Sequence, residues 1–248
     1  MTLYRVFPDP RLAIDLDTDE GLDLLRELYT IDHSPSVRVN MIVRPDGSIV
    51  GSDGTSGSLT SPDDRSLLRL LRSMADAVII GAETIRQERV PVPRGIPLVV
   101  VSNSGNIPAS HVVCGPESGE LVVVTPSADT ASTTLSALPH RIIEPGQPSP
   151  TATQIIDLCV AEGWNNIVVE GGKQLVTLFA NAGVVDDLCL TLTGAPQSED
   201  TPPVSWWPEG TTWMTSHLLM DDNRMLYHRY VSEGGLVGET SHSRRVDQ

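Results

Sequence analysis

At 248 residues the chain can form one large domain or two small ones, and its 40% apolar and 20% charged content is ordinary for a globular protein. A net charge of −15 argues against a general nucleic-acid binder, which needs clustered Lys and Arg, although an acidic surface can still hold an anion in a locally basic cleft. Cys114, Cys159 and Cys189 lack metal or redox spacing, no apolar run is long enough to span a bilayer, and Met1–Pro10 has no signal-peptide core; no metal, no membrane partner and a cytoplasmic location are expected.

In chain order, residues 1–36 read as a lead-in extension with one amphipathic helix carrying Leu22, Leu25, Leu28 and Tyr29. A strand at Val37–Val43 follows, then an Arg44-Pro45-Asp46-Gly47 turn, a short extended piece at Ile49-Val50 and a loop with Gly51, Gly54 and Gly57. Ser61-Pro62-Asp63-Asp64 is a helix start, with Ser61 as N-cap and Asp64 as its capping-box partner, and Leu67, Leu70, Leu71 and Met74 give the apolar face. Beyond it the pattern predicts a strand at Ala77–Ile80, a short helix through Thr84 and Glu88, and strands at Leu98–Val101 and Leu121–Thr125. A helix at about 127–137, a strand at Arg141–Ile143 and a helix carrying Ile155, Ile156, Cys159 and Val160 come next. Alternation at Leu188, Leu190 and Leu192 reads as a half-buried strand, 195–210 as a loop, 213–220 with 224–231 as an antiparallel edge hairpin, and 233–248 as a polar tail. Strands alternating with helices, most of them continuous apolar runs, imply a single α/β domain over 37–232 with a mostly parallel sheet covered on both faces.

The most informative stretch is Asn166–Leu175. An apolar strand ends in Glu170, passes through Gly171-Gly172 and enters a helix at Lys173, Gln174 and Leu175. Helix N–H groups reached through glycines form a seat for a phosphate; the same pattern also fits a βα turn needing glycine only for close packing. No G-x-G-x-x-G or G-x-x-x-x-G-K-[ST] motif is present.

Two blocks, read together, resemble a known family. The first runs from Val39-Asn40-Met41-Ile42-Val43-Arg44-Pro45-Asp46-Gly47 through Gly57-Ser58-Leu59-Thr60-Ser61-Pro62 to Ala77-Val78-Ile79-Ile80-Gly81-Ala82-Glu83-Thr84; the second is Val169-Glu170-Gly171-Gly172 with Ala182-Gly183-Val184-Val185-Asp186-Asp187-Leu188. Their order and spacing resemble the reductase domain of riboflavin biosynthesis, the C-terminal half of a bifunctional deaminase–reductase with a dihydrofolate-reductase-like fold. The resemblance implies an NADPH-dependent reductase of a 5-amino-6-(5-phosphoribosylamino)uracil-like compound, with hydride transfer to ribose C1′, and a homodimer. No His-x-Glu with Pro-Cys-x-x-Cys occurs, so the deaminase signature is absent.

By position, the resemblance puts Asn40, Ser56, Arg72 and Glu170 against the substrate, Arg72 gripping a phosphate with its fork. Ile42, Ser58, Thr84, Glu88, Ser102, Gly171, Gly172, Lys173, Gln174 and Leu175 fall on the cofactor, and Glu88 is also the candidate catalytic carboxylate. Glu170 alternatively caps the next helix, and Glu88 is alternatively a solvated helix acid. Arg65 and Arg69 read as surface charges. A second family arginine has no clean equivalent, Arg89 and Arg94 being near but out of register, so a same-fold reductase of a pterin such as dihydrofolate, or a non-catalytic NADPH-binding protein, stays open.

Overall fold

A computed structural model describes residues 1–193 and 213–232; the expected 195–210 loop and 233–248 tail lie outside the described residues. The strands in chain order are β1 (Thr2–Phe7), β2 (Leu12–Asp15), β3 (Ser36–Val43), β4 (Ala77–Gly81), β5 (Val90–Pro91), β6 (Leu98–Val101), β7 (Val112–Val113), β8 (Leu121–Val124), β9 (Arg141–Ile143), β10 (Asn166–Glu170), β11 (Asp187–Leu192), β12 (Trp213–Asp221) and β13 (Leu226–Ser232). The helices are α1 (Asp19–Leu28), α2 (Pro62–Ser73), α3 (Ala82–Gln87), α4 (Ala128–Thr134), α5 (Ala152–Ala161) and α6 (Lys173–Asn181).

Eleven strands form one sheet in the order β2-β1-β12-β13-β11-β3-β10-β4-β6-β8-β9, and β5 and β7 make a separate pair. From β11 to β9 all pairings are parallel, while β2, β1, β12 and β13 add an antiparallel wing. Because side chains alternate along a strand, Val37, Val39 and Met41 face one core with Phe179 and Ile155 of α6 and α5. Val78, Ile80, Val100 and Val123 face the other side, packing with Ile85 of α3 and Ala131 of α4. Leu67, Leu70 and Leu71 of α2 close that second face together with Leu25 of α1, Cys189 and Tyr227. The expected α/β class, with a mostly parallel sheet covered on both faces and a C-terminal antiparallel hairpin, is the one observed.

The lead-in holds more than its helix. β1 and β2 extend the sheet, with Leu3 opposite Asp221 across β12. The hairpin is therefore not the edge of the sheet: β13 pairs with β11, and β1 pairs with β12 along Leu218–Asp221. β11 is buried at every residue rather than on one face, because β3 and β13 flank it and both layers cover it. Ile49-Val50 is not a strand, although Ile49 packs on the core. Ser61 caps α2 by accepting from Asp64 N at 3.1 Å, but the capping box does not close. The Asp64 carboxylate is instead engaged by the Thr60 hydroxyl at 2.6 Å.

Under the antiparallel wing lies a buried ionic network. Asp187, 1% exposed, accepts on one oxygen from Arg38 Nε (3.0 Å), Arg38 Nη2 (2.7 Å) and Arg229 Nε (3.0 Å). The same guanidiniums donate to the carbonyls of Leu28, Tyr29 and Thr30, the unsatisfied acceptors at the C-terminal end of α1. Both stack over the Tyr29 ring, at 5.9 and 5.8 Å from its centroid. Two cations held by one carboxylate make that carboxylate indispensable: Asp187→Asn should destabilise the chain by about 3–5 kcal/mol in urea unfolding.

His217, buried edge-on against Tyr29, has its pKa lowered to about 3 by burial first and then by the charge of Arg229. The unfolded chain, with a histidine near 6.5, then binds more protons than the folded one between about pH 6.5 and about 3, so stability falls as pH falls through that window. His217→Gln should flatten this decline, as read from urea midpoints at successive pH values.

Candidate active site

Four adjacent strands, β3, β10, β4 and β6, run parallel and end on one side, where the segments leaving them wall a cleft of about 1140 Å³. Ligands in α/β sheets collect at such carboxyl ends, where crossovers leave a crevice. Asn40 and Ile42 enter from the last residues of β3, Glu170 ends β10, and Ser102 directly follows β6. Asn40 is in register with Glu170.

The turn after β10 takes two consecutive left-handed residues, Gly171 at φ 67° and Gly172 at φ 78°. Side chains would be strained there by conformation, and they would also crowd a neighbour: a Cβ on Gly171 or Gly172 would lie 3.3 or 3.4 Å from Thr84 Oγ1 on α3. α6 then begins with Gly172 as N-cap and no side-chain cap, and the Val176 N–H donates to the Gly172 carbonyl at 3.1 Å. The N–H groups of Lys173, Gln174 and Leu175 precede that donor and point at the cleft end of the helix, where the dipole and Lys173 favour an anion. A glycine cradle with no Cβ, an uncapped nine-residue helix and no acid in its first turn fit a dinucleotide pyrophosphate.

Glu170 is not the cap of that helix. Its carboxylate takes a two-bond fork from Arg72 of α2, Nε to Oε1 at 2.8 Å and Nη2 to Oε2 at 2.6 Å. Burial works against the Arg72 charge, but the charge and hydrogen bonds of Glu170 outweigh it and hold the guanidinium above its usual range. Two consequences follow: a carboxylate that would repel an anion at the glycine turn is neutralised, and the fork expected to grip a phosphate is already filled.

Glu88 lies one residue past α3, in extended backbone. It receives the Ser56 N–H at 3.1 Å and the Ser56 hydroxyl at 2.9 Å, which ties the glycine loop to the cleft and makes Glu88 more than a solvated helix acid. Ser102, buried, accepts from Gly105 N at 3.0 Å and lines the cleft with Asn103. Of the expected site residues only Ser58 is not in the cleft wall; its hydroxyl turns to Asp53 at 2.7 Å, inside an exposed turn.

Thr60, Asp64, Arg65, Arg69 and Arg89 also line the cleft and were not expected there. Asp64 has its pKa raised, by burial first, against the hydrogen bonds of the Thr60 and Thr191 hydroxyls. A helical spacing signal was present for the arginines: residues 65, 69 and 72 share one face of α2, so placing Arg72 in the cleft places the others beside it. Arg94, by contrast, is exposed and paired with Glu117. Among the described residues no group of three or more His, Cys, Asp or Glu could hold a metal ion, and no helix is long and apolar enough to cross a membrane.

Comparison with known structures gives the same fold in a pyrimidine reductase-like protein from Corynebacterium diphtheriae, 22% identical over 80% of this chain and 92% of that one, with a TM-score of 0.58. The riboflavin biosynthesis reductase of Saccharomyces cerevisiae is 11% identical over 86% of this chain and 100% of that one, TM-score 0.59. A diaminohydroxyphosphoribosylaminopyrimidine deaminase/5-amino-6-(5-phosphoribosylamino)uracil reductase from Thermotoga maritima is 15% identical, TM-score 0.59, over 86% of this chain but only 62% of that one. No curated protein matches the chain significantly in sequence. The family model described as the RibD C-terminal domain matches residues 35–195, which spans β3, the glycine turn and every wall of the cleft; the chain belongs to the RibD C-terminal domain family of reductases.

Proposed function

We propose that the chain is an NADPH-dependent reductase of a ribosylaminopyrimidine phosphate, a 5-amino-6-(5-phosphoribosylamino)uracil-like compound, delivering hydride to ribose C1′ and yielding a ribitylamino product. The observation that carries this reading is the Gly171-Gly172 cradle at the uncapped start of α6, opening on a cleft large enough for a dinucleotide and a second ligand. Family membership supports it.

When bound, NADPH supplies the hydride. The chain's own contribution is to hold, orient and shield. Gly171, Gly172, Lys173, Gln174 and Leu175 would seat the pyrophosphate, with Thr84 packed against the turn and Ile42 and Ser102 along the rest of the cofactor trough. Asn40, Ser56 and Glu170 face the acceptor side, Glu170 held in one orientation by Arg72. Glu88, fixed by two donors from Ser56, is the group placed to exchange a proton or accept a hydrogen bond from the acceptor. One observation favours the pterin reading instead: the Arg72 fork is filled by Glu170, as it would be if the acceptor carried no phosphate.

Reduction with NADPH deuterated at the transferring position should place one deuterium at C1′ of the ribityl chain, read by mass spectrometry; unlabelled product would contradict hydride delivery. Glu88→Gln should lower kcat by roughly 100-fold or more, the usual scale for a positioned proton-transfer group. Ser56→Ala should cost much less; equal losses would reduce Glu88 to a loop anchor. Gly171→Val, which forces a β-branched side chain into left-handed backbone, should raise the Kd for NADPH by at least about tenfold.

A further inference from the structure

The carboxyl groups of the cleft wall, Asp64, Glu83, Glu88 and Glu170, divide by what holds them. Glu83 and Glu170 face the guanidiniums of Arg86 and Arg72 at 2.7 and 2.6 Å. Glu88 and Asp64 are held instead by hydroxyls of one loop, Ser56 at 2.9 Å from Glu88 Oε1 and Thr60 at 2.6 Å from Asp64 Oδ2. Three elements place Asp64. Ser61 caps α2 and sets Asp64 in its first turn, behind Thr60. Buried Thr191 of β11 gives the carboxyl a second hydroxyl, and Thr191 is in register with Ile42, at the cleft end of β3. The half-buried carboxyl therefore lies next to the strand end that carries Asn40 and Ile42. Burial pushes its pKa up, against the two hydroxyls and the charge of Arg65, which with Asp63 flanks it on α2. Asp221 of β12 adds to the rise, and Tyr227 of β13 donates to Asp221 at 3.1 Å. A carboxyl that favours its proton and borders a ligand cleft can give that proton to a bound acceptor.

We propose that Asp64 is a second catalytic group, the acid that protonates the ring oxygen of the bound ribosylamine and opens the ring for reduction, with Thr60 and Thr191 orienting its carboxyl. The proposal rests on the reductase reading argued above. Asp64 gives its proton to O4′ as the C1′–O4′ bond breaks, and the electron pair of that bond leaves with the oxygen as a 4′-hydroxyl. The nitrogen lone pair closes a C1′=N iminium, C1′ takes the hydride of NADPH, and the pair returns to nitrogen. Solvent then returns one proton to Asp64, so the sum is substrate, NADPH and one proton giving the ribitylamine and NADP. The acid is needed because an alkoxide leaving group at C1′ is poor, and protonation during the bond cleavage removes that cost.

The test measures the pH dependence of kcat/KM for the pyrimidine phosphate in wild type, Asp64→Asn, Thr191→Val and Glu88→Gln. Acid catalysis needs the protonated carboxyl, so the wild-type rate should fall as pH rises through the Asp64 pKa. Asp64→Asn should lose roughly 100-fold in kcat with an unchanged Kd for NADPH, and its remaining rate should no longer show that alkaline fall. Thr191→Val removes a hydroxyl that favours the carboxylate, so the fall should move to higher pH. A purely structural role for Asp64 predicts no such displacement. Glu88→Gln, though slower, should keep the fall. A wild-type profile in Asp64→Asn, a fall that stays in place in Thr191→Val, or its loss in Glu88→Gln would overturn the assignment. The two readings fail differently. Pyrimidine turnover that is equally fast in wild type and Asp64→Asn removes the acid and keeps the reductase, whereas no pyrimidine turnover by wild type removes the reductase and the acid with it.

Discussion

The fork between Arg72 and Glu170 joins the two halves of the site. Glu170 ends the central strand β10 at the lip of the cleft, where a lone carboxylate would face both a buried environment and the anion seat of α6. Arg72 removes that conflict, and in doing so it fixes α2 against the end of β10, so that one helix supplies the apolar cover of the sheet and the cationic wall of the cleft. A bidentate, largely buried pair has one good geometry, so Glu170 is held in one orientation.

A second ionic centre holds the opposite side of the fold. Asp187 gathers Arg38 and Arg229, and those arginines close the end of α1 and pack on Tyr29. Arg38, Asn40 and Ile42 point to the same face of β3, so the strand that carries site residues at one end is anchored by the network at the other. The lead-in is thus part of the frame that keeps β3 in place.

Much of this was legible beforehand where the signal is local. The strand–glycine–helix passage at 166–175, the Ser61-Pro62 helix start and the hairpin at 213–231 each depend on residues close in sequence, and each appears with the expected boundaries to within a residue or two. What could not be read depends on distant partners. β1 has no signal stronger than a short alternation and exists because β12 offers it an edge more than two hundred residues away. The burial of β11 on both faces follows from its place between β3 and β13, which alternation cannot report. Within the site, Gly171, Thr84 and Glu88 line one cleft, but the partners of Arg72 and Ser58 were set by side-chain geometry. The arginines at 65 and 69 are exposed, as expected of surface charges, on a face of α2 that also borders the cleft.

The most direct measurement is NADPH oxidation with two acceptors side by side, the deaminated ribosylaminopyrimidine phosphate and dihydrofolate. The account predicts fast turnover of the pyrimidine phosphate and little or none of dihydrofolate. Preference for dihydrofolate, or tight NADPH binding with neither acceptor reduced, would contradict it.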